Sequence, residues 1–280
     1  MHALPLAFST VAGVLIAPAL IGSLARAGHT RENYRGRRLA FPIGVIVPAA
    51  ALLALVPVML IERLAHTPLM HPEFAAIAVY CLAVLLLGLI DDTLEGEPGP
   101  QGRVRGWRGH GAALLAGRPS TGVLKGAGSL GAALLALALL GEGNGRWLLA
   151  AAVLVLATNA FNLLDLRPGR ALKVFVLLGA GLTAGTAELR PLLSLGLFAG
   201  PALVAGGHDL REHGMLGDTG ANLIGALAGL WLVLSLGSTG QIAALAVLLA
   251  INVYGELRSI SALVQGSPLL RRLDSWGRPS

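Results

Sequence analysis

Asp91 and Asp92 stand side by side at the end of an apolar run, in the stretch GLIDD. Adjacent carboxylates repel one another, so both stay ionised only beside solvent or a cation. A hard divalent ion that also takes phosphate oxygens suits such a pair; a solvated helix end is the plainer alternative. A second group, NAFNLLD, spaces Asn159, Asn162 and Asp165 at i, i+3 and i+6, close to one helix face. Its amides can read a nucleobase or sugar edge or support a carboxylate, and Asp165 can ligate a metal. The RPGR that follows breaks the helix at Pro168 and Gly169, while Arg167 and Arg170 offer donors for phosphate. Amides and cations at a helix end also serve as a plain C-terminal cap. In the third group Gly217, Asp218, Thr219 and Gly220 lead into another apolar run. Asp218 is expected at the N-cap, or else free N–H groups there hold a phosphate that the small residues allow to approach.

The elements that must position these groups are apolar helices. The chain has 280 residues, of which 55% are hydrophobic and 13% charged, against about 25% charged in soluble domains. Mean hydropathy is +0.72. Apolar runs of about 17–25 residues signal membrane-spanning helices, and the rarity of strict alternation argues against a β-barrel. The spans fall at 3–25, 41–62, 74–90, 121–141, 147–163, 171–187, 191–207, 219–236 and 240–256. This predicts an all-α polytopic membrane protein: a bundle of about nine transmembrane helices over 1–256, with a tail over 257–280. The single cysteine, Cys81, lies in an apolar run and excludes an intramolecular disulfide or thiolate metal site.

Nine spans divide the loops into two sets. Eighteen of the 21 lysines and arginines fall on one side, leaving Arg63, Arg146 and Arg190 on the other. The positive-inside rule makes the richer side cytoplasmic, with the N-terminus outside and the C-terminus inside. All six aspartates lie on that same side. The net charge of +6 is therefore a matter of orientation, and a nucleic-acid partner is not expected. The segment 93–120, with Trp107 and several arginines, is expected as a loop at lipid headgroups. Three acidic groups on one face, ringed by basic loops, suggest a cleft for a Mg²⁺-bound diphosphate.

These three patterns, in this order, resemble the polyprenyl-phosphate N-acetylhexosamine-1-phosphate transferases, across roughly residues 30–260. GLIDD (88–92) is similar to that family's aspartate pair, NAFNLLD (159–165) to its N-x-x-N-x-x-D element and MLGDTGAN (215–222) to its G-D-x-G-S element. The resemblance implies a cytoplasmic-face cleft in the inner membrane that transfers a sugar-1-phosphate from a UDP-sugar to polyprenyl phosphate, here undecaprenyl phosphate, releasing UMP. It implies Mg²⁺, with Mn²⁺ as a substitute, and a homodimer. Among the catalytic carboxylates Asp91, Asp92, Asp165 and Asp218, it implies metal contact for Asp165, Asp218 and Asp92, while Asp91 and Asp92 handle the lipid phosphate. Substrate contacts would come from Lys125, Asn159, Asn162, Arg167, Arg170, Gly217, Thr219, Gly220 and Asn222.

Departures from the family pattern are specific. Asp165 is followed by LRPGR where the family often has G-L-D-G, and no histidine follows His213 in place of a late histidine-bearing loop. Two other readings stay open. One is a non-catalytic homologue that binds polyprenyl phosphate as a scaffold. The other is an ion-coupled transporter, which would want its acidic residues near mid-membrane and not at helix ends.

Overall fold

The computed structural model describes residues 1–94, 121–141 and 145–279. Among the described residues nine long helices occur in this order: α1 (Leu4–Arg26), α2 (Ile46–Ala65), α3 (Phe74–Leu94), α4 (Thr121–Leu139), α5 (Arg146–Leu164), α6 (Arg170–Thr186), α7 (Arg190–Leu210), α8 (Gly217–Ser235) and α9 (Ser238–Leu257). Each corresponds to one predicted span. Among the described residues eight are long and apolar enough to cross a membrane; α6, at 17 residues, is the shortest of the nine. The expected headgroup loop beyond Leu94 lies outside the described residues.

Helix α8 is the axis of the bundle. Its face toward α5 carries small residues, with Gly225 against Thr158 and Gly229 against Leu154, which lets the backbones approach closely. It also packs on α3, α6 and α7, while α1 packs on α2 and α7 and α4 on α3. The outer belt is apolar instead of polar: Leu15, Leu52, Val56, Leu177 and Val247 are all more than half exposed. A surface of that kind is stable against lipid chains and not against water.

At the end that carries the three motifs, strands β1 (Thr30–Glu32) and β2 (Arg38–Ala40) form a small antiparallel hairpin. Its exit strand is stitched to the chain entering α8, with Met215 N–H donating to Ala40 O at 2.9 Å and Ile43 N–H to Met215 O at 2.9 Å. Buried Glu212 anchors the hairpin tip, accepting from Arg37 Nη1 at 3.1 Å and Asn33 Nδ2 at 3.3 Å.

The predicted tail is ordered and helical. It folds as α10 (Ile260–Gly266) and α11 (Pro268–Ser275). Arg170, at the start of α6, pairs through two nitrogens with Asp274, at 2.7 and 3.0 Å. Arg278 holds the same carboxylate at 2.8 and 3.1 Å and also donates to Pro168 O at 2.7 Å. Burial alone would raise the Asp274 carboxyl, but the two guanidinia override it and bring it down to about 2. Between this tail, α6 and α9 lies an apolar cavity of about 530 Å³, lined among others by Leu164, Val174, Ile251, Leu263 and Leu270.

Candidate functional site

The aspartate pair ends α3, and the two carboxylates do different things. Asp92 turns toward the start of α8. Its Oδ1 accepts from Asp218 N–H at 3.0 Å, and its Oδ2 accepts from Thr219 N–H at 2.8 Å and Thr219 Oγ1 at 2.6 Å. A helix start leaves N–H groups without intrahelical partners, and here a carboxylate from another helix satisfies them and complements the positive helix end. Asp218, expected at the N-cap, is instead a first-turn residue of α8. At that helix start the carboxylates of Asp92 and Asp209 accept from the N–H groups of Leu216, Asp218 and Thr219, donors that the expected phosphate cradle would use.

Close packing makes this arrangement possible. At Gly88, one turn before the pair, a Cβ would lie 2.5 Å from Asp218 O, so only glycine lets α3 come this near α8. Gly217 has φ +70°, a conformation that favours glycine, and a Cβ there would press on Asp92 Oδ2. The small residues Gly217 and Gly220 thus serve contacts within the chain: Gly220 faces Gly44 and Leu216.

Asp91 turns the other way. Its Oδ2 accepts from Lys125 Nζ at 3.0 Å, and the same ammonium hydrogen-bonds Asp218 Oδ2. Asn162 Nδ2 also donates to Asp218 Oδ2, at 3.1 Å, and to Asn222 Oδ1 at 2.9 Å. Five of the predicted residues, Asp91, Lys125, Asn162, Asp218 and Asn222, therefore meet, contributed by α3, α4, α5 and α8. Among the described residues, two atoms in this cluster are buried without a hydrogen-bond partner: Asp91 Oδ1 and Asn222 Nδ2.

Asp165 ends α5 and is half-buried. Its carboxyl is pushed well above the usual carboxylate range, first by burial and then by the charges of Asp209, Asp218 and Asp92, with Arg170 opposing. It stands in a strongly negative field, where a cation would be stabilised.

Other predicted residues are placed elsewhere. Asn159 pairs with Asn252 of α9, whose own amide donates to Leu156 O at 3.0 Å and Leu248 O at 2.8 Å. A spacing of i to i+6 drifts about 120° around a helix of 3.6 residues per turn, enough to take Asn159 off the face of Asp165. Arg170 is buried and bound to Asp274 and Ser261, so it is not free for phosphate. Arg167 stacks over the Tyr34 ring at 4.2 Å, at the hairpin. Thr219 is fully buried and belongs to the Asp92 contact.

Sequence reasoning missed Asp209 as a member of the site. It is buried near the end of α7 and accepts from Gly169 N–H at 2.7 Å and Leu216 N–H at 3.3 Å. It joins the RPGR turn, 40 residues earlier in the chain, to the entry of α8. An aspartate nine residues before Asp218, on the aspartate-bearing side, was the available signal.

Among the described residues no three His, Cys, Asp or Glu side chains converge as a ready-made metal cage. The donor chemistry nonetheless fits a hard divalent ion: Asp91 offers an unpartnered buried oxygen, Asp218 is held through one oxygen only, and Asp165 accepts no hydrogen bond from the described residues. The free oxygen of the pair is on Asp91 and not on Asp92, whose oxygens are both engaged by α8. No family model matches the chain, and no curated protein matches it at a significant level.

Proposed function

We propose that this protein is a membrane phosphoglycosyltransferase that moves a sugar-1-phosphate from a UDP-sugar to polyprenyl phosphate. The observation that carries the reading is the meeting of Asp91, Lys125, Asn162 and Asp218 at one end of the bundle. They come from three separated motifs and a lysine that were read together from the sequence.

In the reaction, a phosphate oxyanion of the polyprenyl phosphate attacks the sugar-bearing phosphorus of the donor. A new P–O–P bond forms, the bond to the bridging oxygen breaks, and that oxygen leaves with its electron pair on UMP. The attacking group is already an anion at neutral pH, so catalysis rests on positioning and charge compensation more than on a general base. Asp91 and Asp218 would hold Mg²⁺, with Asp165 close enough to feel the charge of Asp218, and the bound ion would offset charge on the diphosphate. Lys125 supplies a further positive charge beside the phosphates, and Asn162 fixes the Asp218 carboxylate. The apolar cavity beside Leu164, one residue before Asp165, has the chemistry to take part of a prenyl chain. The basic side of the bundle faces the cytoplasm, where the nucleotide sugar is found.

The non-catalytic reading draws on one observation. Asp92, Asp209 and Thr219 have evident structural work at the α8 start, so retention of these residues does not by itself demand catalysis. UMP release separates the two. Detergent-purified protein given Mg²⁺, undecaprenyl phosphate and a panel of UDP-sugars should release UMP with at least one donor, only when the lipid is present. The Asp218→Asn variant should release none. Lipid binding without UMP from any donor would favour the scaffold.

A further inference from the structure

Asp91 and Asp218 set two carboxylates against a single ammonium, that of Lys125, which lies between them. One cation thus faces two acidic groups, in a neighbourhood where Asp165 already feels Asp209, Asp218 and Asp92. Asp91 Oδ1 is buried in the same place with no partner among the described residues. The ammonium touches one oxygen of each carboxylate, as a bridging metal ion would, but carries half its charge.

We propose that Lys125 is the resident counter-cation of this cluster, seated where a divalent ion binds, and that the ion must displace its ammonium from Asp91 and Asp218. This deepens the transferase reading and rests on its metal dependence. Exchange is sterically open to lysine, whose ammonium rides on a flexible four-carbon stem. Lys125 is one turn into α4 and its side chain is 19% exposed, so it is not sealed inside the cluster. A divalent ion in its place would neutralise the two carboxylates, and the expelled ammonium would remain close enough to meet an incoming phosphate.

The test is Mn²⁺ binding to the full-length, detergent-purified protein, followed by the loss of the free-ion electron paramagnetic resonance signal, with no substrate present. Lys125→Met should bind Mn²⁺ roughly tenfold or more tightly than the unaltered protein, because a competing unit charge has gone. Lys125→Arg, which keeps the charge, should show no such gain. Equal or weaker binding by Lys125→Met would overturn the proposal while leaving metal dependence standing. No Mn²⁺ binding by any of the proteins would overturn both. A second readout uses the unaltered protein and does not depend on the variant folding. The chain has only two lysines, Lys125 and Lys173. Mn²⁺ should raise acylation of Lys125 by an amine-reactive reagent severalfold, with Lys173 as the internal reference. Labelling of Lys125 that does not change on adding Mn²⁺ would contradict displacement.

Discussion

Asp92 and Thr219, 127 residues apart, are joined twice: the threonine's N–H and its hydroxyl both donate to one carboxylate oxygen. The same carboxylate accepts from Asp218 N–H. The end of α3 is thereby fixed to the start of α8, and Asp91 and Asp218 are set on either side of Lys125.

This gives the two neighbouring aspartates separable phenotypes. Asp92→Ala removes a buried helix cap and leaves Thr219 unpaired, which should destabilise the protein by about 1–3 kcal/mol. Asp91→Asn should change stability far less and abolish UMP release. Thermal unfolding in detergent, run beside the activity assay, checks both; equal melting temperatures for the two variants would contradict the division of roles.

Asp209 should behave as a positioning residue. Asp209→Asn keeps one acceptor oxygen and loses the other, so either Gly169 N–H or Leu216 N–H is left unpaired. A loss of about 1–3 kcal/mol is expected, with a fall in turnover larger than any change in donor KM. Steady-state kinetics with thermal unfolding reports it.

The docked C-terminal helices depend on one half-buried carboxylate and the buried guanidinium it pairs with. Removing Asp274 leaves Arg170 buried without its partner, and Asp274→Ala should cost about 3–5 kcal/mol of local stability. Its pKa is lowered to about 2, against about 3.9 for a free carboxyl. The stabilisation is therefore fully present above about pH 4 and is lost as pH falls toward 2. Protease protection of residues 258–279 should be flat from pH 8 to 5 and absent in the variant.

How much of this was legible in the sequence varies by residue, for physical reasons. The spans were readable because lipid imposes a long apolar run, and each of the nine runs is a helix. Asp91, Asn162 and Asp218 were readable because carboxylates and amides at the ends of apolar helices are rare and need a purpose. Their division of labour was not. Whether Asp91 or Asp92 faces the cleft depends on which way α3 is rotated against α8, set by the contact at Gly88. Arg170 looked like a phosphate donor because its partner, Asp274, lies 104 residues away in a segment too polar to resemble a span. Asn159 shared a motif with Asn162 but not a neighbour, since α9 could not be placed from the sequence.

The opposite end of the bundle offers a different pH response. His2 and His71 stack at 4.3 Å, and His2 Nδ1 lies 3.1 Å from Leu69 O. Burial, then His2 and, after an opposing pull from Glu73, Arg190 hold His71 below its usual pKa of 6.5. The unfolded chain thus binds a proton more readily, and this contact loses stability as pH falls below about 6.5. The melting temperature of the unaltered protein should drop more between pH 7 and 5 than that of His71→Gln.

The central claim is that these residues make a transferase, and the lipid product tests it most directly. Undecaprenyl phosphate incubated with the protein, Mg²⁺ and the productive UDP-sugar should yield undecaprenyl-diphosphate-sugar, found by mass spectrometry of the extracted lipid, one molecule for each UMP released. Asp218→Asn should yield neither product. Unmodified lipid recovered after incubation with every UDP-sugar, from protein that binds the lipid, would contradict the account.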